Sequence, residues 1–152
     1  NAVYADSSTP GAPSGLSAVA TSDSQASLTW TAPANIGSHS ITGYKIEYRI
    51  GTGQYNTLIE KTPTNATSYT HLGVKLGQFY IYHVQTINSD KLISDPSSEF
   101  KLQMPSTSSP PSAPTGLTAF AVSPTQINLS WNTPSNNGFQ ILGYGVGPPL
   151  RQ

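Results

Sequence analysis

Short runs of alternating apolar and polar residues recur along the first hundred or so positions of the chain. They occupy residues 26–30, 44–49 and 80–88. A period of two is typical of β-strands that turn one face toward a core. The residues predicted to face inward are Ala26, Leu28, Trp30, Tyr44, Ile46, Tyr48, Tyr80, Tyr82, Val84 and Thr86, and those predicted to face solvent are Lys45, Glu47, Arg49, Ile81, His83 and Gln85.

Turn-forming residues separate these runs. Glycine and proline number 13 each, and Ser, Thr and Asn are interleaved with them. Several short alternating strands with frequent turns predict an all-β, antiparallel sandwich or barrel rather than a helical fold.

A long internal repeat organises the chain. The segment Ala12–Leu16 recurs as Ala113–Leu117, and Leu28–Trp30 recurs as Leu129–Trp131, both 101 positions later. Matched prolines, tryptophans and glycines in one order indicate two copies of one module. Further matched pairs are Pro33 with Pro134, Ile41 with Ile141, Gly43 with Gly143 and Tyr44 with Tyr144.

The repeat predicts four segments. Residues 1–9 form a leader or linker, residues 10–104 a complete module, residues 105–112 a linker of Ser and Pro, and residues 113–152 a partial second module. Prolines in the linker favour an extended, semi-rigid connector. In the second copy, Ile141–Tyr144 is predicted to begin a third strand. The strand cannot continue through Gly145–Pro149, because glycine weakens a strand and proline cannot donate to its ladder.

Several motifs together resemble the fibronectin type III family. Residues 12–16, the pair Trp30 and Pro33, and residues 41–49 are similar to its strands A, B and C, and residues 67–88 are similar to strands E and F. The resemblance covers residues 12 to about 103, resumes at 113 and fails after 144. It implies a seven-stranded immunoglobulin-like sandwich followed by an incomplete second sandwich. It also implies that Tyr80 is the family's tyrosine corner and that Trp30 is its core tryptophan.

Two positions depart from the family pattern. His71 stands where strand E usually has an inward apolar residue, and Leu76 stands where the loop after it often has proline. We expect either that His71 is partly buried or that its strand slips by one residue.

The sequence argues against catalytic and metal chemistry. The chain has no cysteine, so it has no disulfide and no thiolate metal site. A His71–His83 pair on neighbouring strands is conceivable as a metal site but lacks the further ligands that zinc requires. None of the seven carboxylates suggests a pair facing across a cleft. We therefore predict no enzyme activity, no metal and no cofactor.

Charge and hydropathy narrow the range of partners. The net charge is zero, which gives no electrostatic footprint for nucleic acid. No apolar run approaches the roughly 20 residues of a membrane span. The sequons at Asn65 and Asn128 are candidate glycosylation sites and hint at a secreted protein.

Up to Leu150 the second module has no charged residue, although it has many apolar ones. Leu102 to Leu150 contains no charged side chain, and a module of roughly 40 residues seldom folds unaided. Three interpretations remain. The chain is a truncated piece, a neighbouring subunit completes the sheet by strand addition, or the segment packs on the first module or stays loose. The residues predicted to make a subunit contact are Ile127, Leu129, Trp131, Ile141 and Tyr144.

These observations predict a non-catalytic protein that is extracellular or at the cell surface. It would serve structure or adhesion through protein–protein contacts, as a homo-oligomer or filament if the partial module is completed by a neighbour. The alternative is an accessory spacer module of a secreted polysaccharide-degrading enzyme.

Overall fold

The computed structural model describes residues 9–107 and 109–147, and all regular structure in them is β. The first module contains seven strands: β1 Ser14–Ser22, β2 Gln25–Thr31, β3 Ile41–Ile50, β4 Asn56–Ile59, β5 Ser68–Leu72, β6 Phe79–Asn88 and β7 Phe100–Gln103. They form two antiparallel sheets, with strand orders β1-β2-β5 and β4-β3-β6-β7. The predicted seven-stranded sandwich is therefore present.

The core lies between the two sheets and follows the alternation in the sequence. Leu28 on β2, Ile46 on β3 and Tyr82 on β6 have no exposed surface. The rings of Trp30 and Tyr44 meet edge to face, with centroids 5.1 Å apart. Contacts between long apolar side chains of opposite sheets thus hold the sandwich together.

His71 is buried, and its strand does not slip. It is 5% exposed, while Leu72 beside it is 65% exposed. The side chain of His71 is hydrogen-bonded to the hydroxyl of Tyr82 at 2.9 Å. This bond satisfies a polar group that would otherwise be costly to bury.

Ile81 is less exposed than its outward position on β6 predicts. It is 5% exposed, because β6 is a central strand. In the register of the sheet Ile81 pairs with Arg49 on β3 and Lys101 on β7. Long charged side chains can cover an apolar neighbour with their alkyl stems.

The second module consists of one hairpin, β8 Thr115–Ser123 and β9 Gln126–Asn132. It reproduces the β1–β2 hairpin residue for residue: Ala18 pairs with Leu28, and Ala119 pairs with Leu129. The glycine in the second position of each first strand has a positive φ, 60° at Gly15 and 64° at Gly116. The shared backbone follows from the shared sequence.

The prediction of a third strand beginning at Ile141 is wrong within the described residues. Residues 141–147 form no strand, whereas the matching residues 41–44 open β3. In the first module, β3 is paired along its length with β6, and its residues 46–48 are also paired with β4. Neither partner has a counterpart in the part of the second module that the structure describes, so this segment has no ladder to join.

Candidate interaction surface

The hairpin of the second module exposes the face that the first module buries. We call this the open face; it consists of Leu117, Ile127, Leu129 and Trp131. Leu117 is 68% exposed and Ile127 is 63% exposed. Ala26 and Leu28, the counterparts of Ile127 and Leu129, have no exposed surface. The open face is therefore a candidate surface for interaction.

An aromatic pair organises the open face. The rings of Trp131 and Tyr144 meet edge to face at 5.1 Å and 65°. The equivalent rings in the first core, Trp30 and Tyr44, meet at 5.1 Å and 71°. The second module therefore has a core contact in place without the opposite sheet. Beside it lies a groove of about 450 Å³, lined by residues that include Pro114, Leu117, Leu129, Trp131, Ile141 and Tyr144.

The structure gathers most of the predicted contact residues around this groove. Leu129, Trp131, Ile141 and Tyr144 line it. Ile127 lies outside the groove lining, at an exposed position farther along β9.

Sequence reasoning missed a second contact region, in the turn that follows β9. Phe139 is 8% exposed and belongs to the core cluster of the first module. The next residue, Gln140, donates its backbone N–H to the carbonyl of Ala20 on β1 at 2.9 Å. One feature of the sequence could have revealed this contact: an aromatic residue, Phe139, replaces Ser38, the equivalent residue of the first copy 101 positions earlier.

The outer face of the four-stranded sheet carries a cluster of paired polar side chains. Glu47 accepts from Lys45 Nζ and lies against His83 Nε2, each at 2.8 Å. The hydrogen bond from Lys45 is the main reason that the pKa of Glu47 is lowered. Nearby, Tyr55 and Arg49 both donate to Glu99. The polar side chains of this cluster therefore pair with one another.

The conceivable His71–His83 metal pair does not form. The two residues lie on β5 and β6, which belong to different sheets and are not neighbouring strands. His71 points into the core, where burial lowers its pKa, and His83 bonds to Glu47 on the opposite side of the sheet. Among residues 9–107 and 109–147, no group of three or more potential ligands could hold a metal ion.

The remaining candidate residues have simple surroundings. The hydroxyl of Tyr80 accepts a hydrogen bond from the backbone N–H of Lys75 at 3.0 Å, which ties the loop before β6 to the core. Asn65 and Asn128 are both exposed. The part of the chain that the structure describes has no helix capable of crossing a membrane.

Comparison with known proteins identifies the fold family. A sequence model of the fibronectin type III domain matches residues 11–100, which is more than half of the chain. The chain belongs to the fibronectin type III family. An Fn3-like protein from Clostridium thermocellum supports this in structure: it is 32% identical, the match covers 67% of this chain and 100% of that one, and the TM-score is 0.52.

Two curated relatives show the range of proteins that contain similar sequence. Exoglucanase B of Cellulomonas fimi is 28% identical over 151 residues, which is 95% of this chain and 13% of the exoglucanase. Protein sidekick of Drosophila melanogaster is 27% identical over 135 residues, covering 88% of this chain and 6% of sidekick. The chain thus spans a small part of the length of either relative, and neither match selects one function.

Proposed function

We propose that this chain is a non-catalytic structural or adhesion module that is extracellular or at the cell surface and works through protein–protein contacts. The observation that carries the proposal is the open face. It presents the apolar side chains of a fibronectin type III core to solvent, with the Trp131–Tyr144 pair already in core geometry.

A second copy of the chain is the proposed occupant of the open face. Residues 102–147 carry no charge, so two such faces would meet without repulsion. In the residues described, β9 pairs only with β8 and leaves its other edge free, which suits pairing with a strand from outside. A two-fold contact would set each open face against its equivalent.

Sedimentation equilibrium of the full chain tests this proposal. We expect a monomer–dimer equilibrium that Leu129→Asp abolishes, because a carboxylate in a desolvated apolar contact is costly. Phe120→Asp is the matched control, since Phe120 is 71% exposed and is the counterpart of Val19, which lies outside the first core. A chain that stays monomeric at high concentration, or a dimer that both variants disrupt equally, would overturn the proposal.

A spacer module of a secreted polysaccharide-degrading enzyme is the second candidate function. The alignment with exoglucanase B supports it, because that alignment covers 95% of the chain and so includes residues of the second module. A spacer needs no self-association, and a strictly monomeric chain with a rigid junction between its modules would favour this function.

A further inference from the structure

The turn after β9 reaches across to the first module. We call residues 133–140 the anchor turn. Phe139 lies at its tip, 8% exposed, in one buried cluster with Ala18, Ala20 and Leu102 of the first sandwich. A Phe side chain that is otherwise exposed gains about 1.5–3 kcal/mol from such burial. The apolar contact gives the turn a reason to stay docked.

A backbone hydrogen bond directs this contact to one edge of the sandwich. β1 is the edge strand of its sheet, so one side of its backbone lacks a strand partner. The carbonyl of Ala20 accepts from the N–H of Gln140 at 2.9 Å. The anchor turn thereby occupies part of an edge that would otherwise be open to other chains.

The turn also lies directly against the start of the linker. At Gly138, φ is +96°, and an added Cβ would come within 2.5 Å of Cγ of Pro105. Only glycine allows the backbone to pass Pro105 this closely in this conformation.

The linker itself is bonded at both ends. Its first residue, Pro105, accepts from the N–H of Gly77 in the first module at 2.8 Å. Its last residue, Ser112, donates its N–H to the carbonyl of Ser135 at 3.0 Å, and its hydroxyl oxygen accepts from the N–H of Ser135 at 2.9 Å. Contacts therefore connect the first module to the linker, the linker to the anchor turn, and the anchor turn to the first module.

The two copies share the turn but differ at its tip. Gly37 donates its N–H to the side chain of Asn35, and Gly138 donates to that of Asn136 in the same way. The residue after the glycine is Ser38 in the first copy and Phe139 in the second. The repeat supplies the scaffold of the turn, and the substitution supplies the anchor.

From these contacts we propose that the outer edge of β1, together with Leu102 and Pro105, is a receptor surface for the aromatic-tipped turn of the module that follows. Phe139 is the anchor, and the two modules are held in one fixed relative orientation. This inference does not depend on self-association through the open face, which lies on the β8–β9 hairpin and leaves Phe139 unaffected.

Amide hydrogen exchange and residual dipolar couplings of the full chain test the inference. We expect one alignment tensor to describe both modules of the wild type. Phe139→Ser, which restores the residue of the first copy, should speed exchange at the Gln140 amide at least about tenfold and separate the two tensors. Phe120→Ser should change neither, because Phe120 is exposed on β8. Two independent tensors in the wild type, or an unchanged junction in Phe139→Ser, would overturn the inference.

A second pair of variants guards against local unfolding of the serine variant. Gly138→Ala and Gly37→Ala each place a side chain at a positive φ, +96° and +74°, and so carry similar backbone strain. Only Gly138→Ala also clashes with Pro105, so only it should release the second module. Equal effects of the two variants on the module orientation would contradict the role of the anchor turn.

Discussion

The β1–β2 and β8–β9 hairpins are two copies of one structure with opposite surroundings. Their registers match position for position at an offset of 101, including the irregularities at each end. Leu28 has no exposed surface, whereas Leu129 is 39% exposed. The difference arises outside the hairpin, because only the first is covered by β3 and β6. Local sequence sets the hairpin, and the opposite sheet makes it a core.

Removing the core tryptophan from each copy should sharpen this contrast most. Trp30→Ala is expected to lower the free energy of unfolding of the first module by about 3–5 kcal/mol, since it leaves a cavity beside Tyr44. Trp131→Ala should leave that transition unchanged within about 0.5 kcal/mol. Guanidinium unfolding followed by far-ultraviolet circular dichroism measures both. Equal losses would mean that the second hairpin contributes to the first core.

Acid should destabilise the first module through His71 on β5. Burial lowers the pKa of His71 in the folded state, so the unfolded chain binds this proton at a higher pH. The contribution of His71 to the free energy of unfolding should be fully present above the unfolded pKa of about 6.5. As the pH decreases below that value, the free energy of unfolding should decrease by up to about 1.4 kcal/mol per pH unit. Urea unfolding at several pH values from about 4 to about 8, on both sides of about 6.5, measures the slope of the free energy of unfolding against pH.

The His71→Phe variant should flatten this acid slope. Leu72→Gln, at the exposed neighbouring position, should leave it unchanged. An unaltered slope in His71→Phe would assign the acid sensitivity to other groups.

The hydroxyl of Tyr80 on β6 should contribute a smaller amount to stability, and only in the complete module. Tyr80→Phe is expected to cost about 1–2 kcal/mol, because the N–H of Lys75 loses its acceptor. Tyr55→Phe removes a hydroxyl that bonds to an exposed Glu99 and should cost less than about 0.5 kcal/mol. Thermal unfolding of both variants makes the comparison, and a smaller loss in Tyr80→Phe would count against the corner.

The smallest effect should appear at the paired glycines of the two hairpins. Gly15→Ala is expected to destabilise the first module by about 1 kcal/mol, because φ there is +60°. Gly116→Ala carries similar strain at +64°, but should appear only as faster amide exchange in β8 and β9. A shift of the first module's unfolding midpoint by Gly116→Ala would show that the hairpins are energetically coupled.

The first module could be predicted well from the sequence for two reasons. Apolar and polar residues alternate along its strands, and the same motifs occur in the same order in the second copy. The facing of Leu28, Ile46 and Tyr82 followed from alternation alone. Phe139 was missed because a loop position has no periodicity, and its burial depends on which surface the loop meets. The prediction of a third strand at Ile141 was wrong for a related reason, because a strand forms only where a neighbouring strand is present to pair with it.

Fluorescence of Trp131 gives the most direct test of the open face. In Trp30→Phe, Trp131 is the sole indole, because the chain has two tryptophans. With rising protein concentration, we expect its emission to shift to shorter wavelength and its quenching by iodide to fall, and Leu129→Asp should abolish both changes. Emission and quenching that stay constant across all concentrations would contradict the account, because they would show that a second copy of the chain does not cover the open face.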